Sequence, residues 1–360
     1  MRAVISGYYG FHNIGDEAVL YSMLQALRER DKALQPVVLS ADPQFTAQTY
    51  GVESVNRWKP GEVAKALRKA DILISGGGSL LQDVTGPKSL LYYLGVIWLA
   101  RMLVKPVVFY AQGIGPVNSG PGRKMVSFTA NGVKAITVRD EESRSDLLAM
   151  GVKKEITVTA DPVLGLDPDQ VPGPAGRDIL SEAGVNPEGG PLVGVSVRPW
   201  QGEQWQVELA GACDGLVERG MQVVFLPMQH PGDLQVSKTV SGLMRRESFI
   251  VRRACSVPEM LSVTRNLNLL VGMRLHSLIM AAVLGVPPVG IAYDPKIKRF
   301  LARVGLEPGG SPEDLNSVQL LAGVDRARAL ERQELLQRVQ PLRRKALESV
   351  QFVVNSLTHA

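Results

Sequence analysis

Leu267-Asn268-Leu269-Leu270-Val271-Gly272-Met273-Arg274-Leu275-His276, followed by Ser277-Leu278-Ile279-Met280-Ala281-Ala282-Val283-Leu284-Gly285-Val286-Pro287, reads as a strand, a tight turn and a helix. The apolar run ends at Val271, the turn falls at Gly272, and Ser277 to Leu284 has the composition of a buried helix. Arg274 and His276 sit at the turn, where a helix N-terminus already favours negative charge. The planar guanidinium suits phosphate or carboxylate, and a titratable imidazole beside it adds proton chemistry. A further strand, Val289 to Ala292, leads into Tyr293-Asp294-Pro295-Lys296-Ile297-Lys298-Arg299 and brings more cations to the same edge. The plainer alternative is a strand-turn-helix whose Arg and His cap carbonyls or pair with acids. Glycine, Arg, His and the later basic turn all fall at carboxyl ends of strands, which favours a ligand site.

Working outward, short apolar strands alternate with helical stretches on both sides. Arg2 to Ser6, Val37 to Ser40, Ile72 to Ser75, Val107 to Ala111, Ile136 to Val138 and Ile156 to Thr159 are the strands expected in the first half. Leu192 to Val197, Val223 to Leu226, Phe249 to Val251, Leu267 to Val271 and Val289 to Ala292 are those of the second. Near-continuous apolar runs fit parallel sheets covered on both faces, and the alternation argues two doubly wound α/β domains. The Pro/Gly-rich segment from Asp167 to Pro191 is the expected boundary and hinge, giving domains 1–170 and 171–360 facing across a cleft. A charged helical region, Val324 to Val354, is expected to break near Pro341; it reads as a solvated surface helix or as one crossing back to the first domain.

Composition narrows the partners. At 360 residues, 45% hydrophobic and 21% charged, the chain has globular values. Its 40 Lys+Arg against 35 Asp+Glu fit a small anionic ligand or an acidic membrane surface, and few aromatics with no basic tract argue against nucleic acid. Cys213 and Cys255 have no CxxC spacing and suit a reducing compartment. A strand at Arg2 leaves no signal peptide to expect, so a cytoplasmic location is expected. The apolar run Ser89 to Ala100 is shorter than the ~20 residues of a spanning helix. It reads as a core helix, or as an interfacial face built from Leu90, Leu91, Tyr92, Tyr93, Ile97 and Trp98 with Lys88, Arg101 and Lys105 at its borders.

Several loops at strand ends could carry chemistry. Gly7-Tyr8-Tyr9-Gly10-Phe11-His12-Asn13-Ile14-Gly15-Asp16-Glu17 stands where a dinucleotide loop would, with the wrong glycine spacing for one. Its Asn13 and Asp16 suit sugar hydroxyls or a helix cap. Gly76-Gly77-Gly78-Ser79, leading to Gln82 and Asp83, either turns backbone amides toward a ligand or packs a strand against a helix. Arg139, in Arg139-Asp140-Glu141-Glu142, is expected to bind an anion or to pair with a neighbouring acid. Asp161-Pro162 reads as a structural turn, and Arg198-Pro199-Trp200 and Gln229-His230-Pro231 each end a strand. No P-loop, zinc cluster or carboxylate-rich magnesium site is present in the sequence, so no metal is expected.

Gly7-x-x-Gly-x-x-Asn-x-Gly-Asp-Glu17, Gly76-Gly-Gly-Ser-Leu-Leu-Gln-Asp83, Gln112-Gly-Ile-Gly-Pro116, Val138-Arg-Asp-Glu141, Asp161-Pro162 and Gly272-Met-Arg-Leu-His276 occur in this order over nearly the whole chain. As a set they resemble the polysaccharide pyruvyl transferase family, with closest likeness to bacterial cell-wall ketal-pyruvyltransferases of the CsaB type. The resemblance implies a GT-B-like fold of two Rossmann-like domains. It implies transfer of pyruvate from phosphoenolpyruvate to two hydroxyls of a hexose, forming a cyclic ketal and releasing phosphate. The implied acceptor is a lipid-linked saccharide bearing N-acetylmannosamine at the cytoplasmic face of the inner membrane, with weak peripheral contact there. Phosphoenolpyruvate is then a co-substrate and no cofactor is expected.

On that reading the donor is bound by Arg274, His276, Lys296 and Arg139, of which His276, Arg139 and Lys296 act in catalysis. The acceptor lies on the first domain against Asn13, Asp16, Gln82 and Asp83. The competing readings are a sugar-nucleotide-dependent glycosyltransferase of the same fold, with Asp294 on a ribose, and a non-catalytic carbohydrate-binding protein.

Overall fold

Each apolar run that the sequence marks as a strand lies within a parallel sheet of the computed structural model, which describes residues 1–84, 86–171 and 174–358. The chain divides into two compact units: Met1–His12, Asp16–Leu166 and Leu342–Ala360 form one, Asn13–Gly15 and Asp167–Pro341 the other.

In the first unit the order is β1 (Arg2–Ser6), α1 (Ile14–Arg30), β2 (Gln35–Ser40), α2 (Pro43–Tyr50), β3 (Glu53–Asn56), α3 (Pro60–Lys69), β4 (Ile72–Gly76), α4 (Pro87–Met102), β5 (Val107–Gln112), α5 (Gly120–Asn131), β6 (Ala135–Val138), α6 (Glu141–Ala149) and β7 (Thr157–Val158). The strands form one parallel sheet, β3-β2-β1-β4-β5-β6-β7. Alternate residues serve opposite cores: Val4 and Leu73 belong to one, Ile5 and Ile74 to the other. That is why the runs are apolar throughout rather than at every second position.

The second unit contains α7 (Pro174–Glu182), β8 (Leu192–Ser196), α8 (Gln204–Glu218), β9 (Gln222–Phe225), α9 (Gly232–Leu243), β10 (Phe249–Ile250), α10 (Val257–Arg265), β11 (Leu269–Gly272), α11 (Leu275–Val283), β12 (Pro288–Gly290), α12 (Pro295–Arg303) and α13 (Ser317–Arg328). Its parallel sheet runs β10-β9-β8-β11-β12. The last helix, α14 (Arg332–Thr358), belongs to the second unit up to Pro341 and to the first from Leu342 on. There Val350 and Val353 join the core beside β1, and Ser349 Oγ lies 2.9 Å from Thr159 Oγ1.

Three points differ from expectation. β3 was not anticipated. The segment 167–191 is not a plain hinge, because α7 begins at Pro174 and buries Ile179 and Leu180, while Gly176 N donates to Ser262 Oγ at 2.7 Å. Proline is suited to the first turn of a helix, so it started one here instead of breaking the chain. Pro172 and Gly173 of that segment lie outside the described residues. The break expected near Pro341 falls between Arg328 and Arg332, and Pro341 lies inside α14 on an exposed side, where the lost backbone bond is open to water. Of the two readings of the run Ser89 to Ala100, the core helix is the one seen: Leu90, Tyr93 and Ile97 are core residues, Tyr92 and Trp98 pack against them, and of the six residues of the interfacial alternative only Leu91 is exposed. Trp98 Nε1 also donates to Thr129 Oγ1 at 2.7 Å. Among the described residues no helix is long and apolar enough to cross a membrane.

The glycine loop after β4 shows how local sequence sets packing. Gly77 has φ +62°, and a Cβ there would collide with Val19 Cγ1 of α1. Left-handed strain and overpacking together should make Gly77→Ala cost about 2–4 kcal/mol in urea unfolding. A loss below about 0.5 kcal/mol would show that α1 is not held this closely.

Candidate active site

In the second sheet, β9 and β11 lie on opposite sides of β8, so the strand order reverses at β8 and β11. Crevices at the carboxyl ends of such strands are where ligands bind in open α/β sheets. Ser196 ends β8 opposite Gly272, which ends β11, and Met273 N donates to Ser196 O at 2.8 Å. The two residues singled out by sequence, Arg274 and His276, follow at once.

Arg274 does not stand alone. Its Nε donates to Asp233 Oδ2 at 2.9 Å, its Nη2 to the other oxygen of that carboxylate, and Nη2 also reaches Gln229 Oε1 at 3.1 Å. Asp233 is fully buried in the first turn of α9 and additionally accepts the amides of Met228 (3.1 Å) and Gln229 (3.0 Å). An immobile carboxylate thus fixes the fork of the guanidinium. His276, in the first turn of α11, lies against Gly15, where a Cβ would collide with its Nδ1. Gly15 and Asn13 are part of this same unit: Ile14 N donates to Met228 O at 2.9 Å, and Asn13 Oδ1 accepts the amide of Gly15 at 3.1 Å. Asn13 therefore acts as a local turn-former, one of the two roles its position allowed.

On the other side of β11, Asp294 caps α12 by accepting the amide of Lys296 at 2.9 Å. Its other oxygen lies 3.2 Å from Lys296 Nζ. Lys296 Nζ and the Arg198 guanidinium carbon lie 5.7 and 4.6 Å from the Tyr293 ring centroid. His230 has Nε2 buried with no hydrogen-bond partner among the described residues.

In the first sheet the reversal falls at β1 and β4, flanked by the loops after Ser6 and Gly76. Asp16 sits beside Gly78, its Oδ1 3.2 Å from where a Cβ would stand. Gln82 is half-buried. Asp83 accepts the amides of Asn118 (2.8 Å) and Ser119 (2.9 Å), which hold its carboxyl below the usual range and tie one loop to the next. Arg139 is buried on the backbone of Gly113, 3.4 Å from both Asp140 and Asp161, and donates to Ser79 Oγ at 2.9 Å. Asp140 is one of the neighbouring acids its sequence suggested as a partner, and Asp161 joins it from just beyond the end of the next strand.

Sequence reasoning gave four residues here no role. Asp233 has no local signal, since its partner lies 41 residues away, and Arg198 shows as a strand end only, its partner lying 95 residues away. Arg57 is buried beneath Phe11, Trp58, Tyr92 and Tyr93, with its guanidinium carbon 4.2–5.4 Å from the ring centroids, and donates to Gly7 O at 2.7 Å. Glu17 accepts the amide of Gly10 (2.7 Å) and the hydroxyl of Tyr50 (2.8 Å). Burial nevertheless pushes its carboxyl from 4.5 up to about 7, because desolvation outweighs the two hydrogen bonds.

The folded state therefore holds the Glu17 proton better than the unfolded chain. Its stabilising effect is complete below pH 4.5 and is lost as pH rises through about 7. Between pH 4.5 and 8 wild type should lose about 3 kcal/mol that Glu17→Gln does not lose. Parallel pH-dependence curves for the two proteins in chemical unfolding would refute this.

Comparison with known proteins bears on the whole arrangement. Among solved structures, UDP-GlcNAc 2-epimerase from Neisseria meningitidis bound to UDP-GlcNAc matches with TM-score 0.69 at 10% identity, covering 100% of both chains. UDP-GlcNAc 2-epimerase from Methanocaldococcus jannaschii matches with 0.68 at 12%, covering 100% of this chain and 99% of that one. Anabaena Alr3699/HepE in complex with UDP and glucose matches with 0.65 at 12%, covering 100% of both. At such identity these likenesses show the fold, a GT-B-like pair of Rossmann-like α/β units.

The amylovoran biosynthesis protein AmsJ of Erwinia amylovora is 22% identical over 272 residues, 71% of this chain. The match spans 63% of that protein's length. The family model for polysaccharide pyruvyl transferase matches residues 13–295, which include Asp16, Asp83, Arg139, Arg274 and His276. The chain accordingly belongs to the polysaccharide pyruvyl transferase family.

Proposed function

We propose that this enzyme transfers pyruvate from phosphoenolpyruvate to two hydroxyls of a hexose, closing a cyclic ketal and releasing phosphate. The observation that carries the reading is the placement of a locked guanidinium, Arg274, two residues before an imidazole, His276, at the reversal point of the second sheet. The donor has a phosphate and a carboxylate, and cations at this edge are suited to both.

In the reaction one sugar hydroxyl adds to C2 of the donor and gives up its proton as C3 takes one from the acid, so the acid is restored. Phosphate then leaves with its bonding electrons, and the second hydroxyl traps the oxocarbenium-like centre and releases its proton to the departing phosphate. His276 serves as the acid for C3, its ring held by Gly15 and by the first turn of α11. Lys296 assists at the phosphate. Arg139 is assigned to the first unit's half of the chemistry, orienting Ser79 and Asp161 rather than supplying net charge. Asp16 and Gln82 are the acceptor-side groups, with Asn13 and Asp83 shaping their loops. The scheme calls for no metal or cofactor.

For the acceptor we favour N-acetylmannosamine in a lipid-linked cell-wall precursor, as in enzymes of the CsaB type, on the cytoplasmic side of the membrane. The role of AmsJ in polysaccharide biosynthesis supports a saccharide acceptor in general. A second reading, sugar-nucleotide-dependent glycosyl transfer, draws support from the fold, since neighbours of that fold are complexes with UDP or UDP-GlcNAc. It would use Asp294 on a ribose, and that carboxylate is already committed to capping α12 and to Lys296.

Thermal-shift measurements with phosphoenolpyruvate, UDP and GDP separate the two. Saturating phosphoenolpyruvate at 100 times its dissociation constant should stabilise the protein by about 2.7 kcal/mol. Stabilisation by UDP or GDP without any by phosphoenolpyruvate would favour the glycosyltransferase.

A further inference from the structure

Two of the cations at the carboxyl edge of the second sheet already have carboxylate partners. Arg274 is paired in a bidentate manner with buried Asp233, and Lys296 lies 3.2 Å from Asp294. Arg198, two residues beyond β8, has none among the described residues. Its Nη1 donates to Tyr293 Oη at 2.8 Å, and its guanidinium carbon lies 4.6 Å from the Tyr293 ring centroid and 5.9 Å from that of Trp200. Its Nε is buried with no hydrogen-bond partner among the described residues. Ser196, two residues earlier and fully buried, likewise has an Oγ without a partner among the described residues.

Two conditions here would be met by one anion at the open edge of the guanidinium. It would balance a positive charge that no acid among the described residues balances. It would also take the hydrogen of the Tyr293 hydroxyl, whose oxygen accepts from Arg198 and whose proton is therefore available.

We propose that Arg198, together with Tyr293, is the receptor that supplies net positive charge to one anionic end of the donor. Arg274, neutralised by Asp233, fixes the donor's position instead. The inference rests on phosphoenolpyruvate being the donor. It also gives the arginine and the tyrosine distinct parts: the guanidinium is held beside the Tyr293 and Trp200 rings and by the Tyr293 hydroxyl, and its planar fork keeps further donors for an oxyanion, which an ammonium lacks.

The test is calorimetric titration of the full chain with phosphoenolpyruvate and with UDP, alongside steady-state kinetics and melting temperatures. Arg198→Gln should bind phosphoenolpyruvate on the order of 10- to 100-fold more weakly, the range expected for loss of a charged hydrogen bond. KM for phosphoenolpyruvate should rise correspondingly and kcat should fall far less. Arg198→Lys should restore only part of the affinity. Tyr293→Phe, which keeps the stacked ring, should weaken binding several-fold without lowering the melting temperature. Wild-type affinity and KM in both Arg198→Gln and Tyr293→Phe, in a protein that binds phosphoenolpyruvate, would overturn this inference alone. A wild-type chain that binds UDP and not phosphoenolpyruvate would overturn the donor assignment beneath it.

Discussion

His276→Gln should bind phosphoenolpyruvate almost as wild type does and turn it over about 10²–10⁴-fold more slowly, the usual scale for loss of a positioned general acid. Glutamine keeps a polar group of similar reach at the start of α11 but cannot deliver a proton to carbon. The ring it replaces is held in place by Gly15, where any side chain would drive the imidazole away. Gly15→Ala should therefore lower kcat in the same direction through displacement of His276. If His276→Gln instead raises KM and leaves kcat intact, the imidazole binds the donor and another group protonates it.

Asp233→Ala carries the largest expected cost in stability. It strips the acceptor from Arg274 and from the amides of Met228 and Gln229, all through one carboxylate with no exposure to solvent. Breaking a buried ion pair from one side costs roughly 3–5 kcal/mol, because the remaining charge is left uncompensated. Urea unfolding should show that loss, and phosphoenolpyruvate affinity should fall with it as the Arg274 fork loses its fixed position. The double variant Asp233→Ala/Arg274→Ala should unfold with a smaller penalty than the sum of the single changes, since neither partner then remains unpaired. Additive penalties would mean that the pair is not coupled as its geometry indicates.

These residues also show where the sequence was legible. Ile72 to Gly76, Val107 to Gln112 and Leu269 to Gly272 are strands buried on both faces, and an unbroken apolar run is the direct signature of that environment. β3, Glu53–Asn56, escaped because it is a half-buried edge strand of mixed polarity. Gly272 to His276 could be placed because chain order alone puts them at a strand end. Asp233 could not, since only the fold brings α9 to Arg274, and an acid in the first turn of a helix looks like an ordinary dipole partner. Arg198 was visible as the end of a strand, but its aromatic partner on the far side of β11 was not. Glu17 is part of a recognisable motif, yet nothing in the motif shows that its carboxyl is enclosed by Gly10 and Tyr50.

The same limit applied to the helix Pro87–Met102. Its sequence is apolar enough for either a core or a membrane surface, and packing against α5 and the sheet decided for the core. Periodicity reports how much of a helix is apolar, whereas burial depends on what covers each face.

A crystal structure grown with phosphoenolpyruvate tests most directly whether the donor binds at the carboxyl edge of the second sheet. Density is expected for the donor with its oxyanions within hydrogen-bond reach of Arg274 and Arg198 and with its methylene carbon facing His276. Donor density confined to another surface, or UDP occupying that edge while phosphoenolpyruvate leaves it empty at saturating concentration, would contradict it.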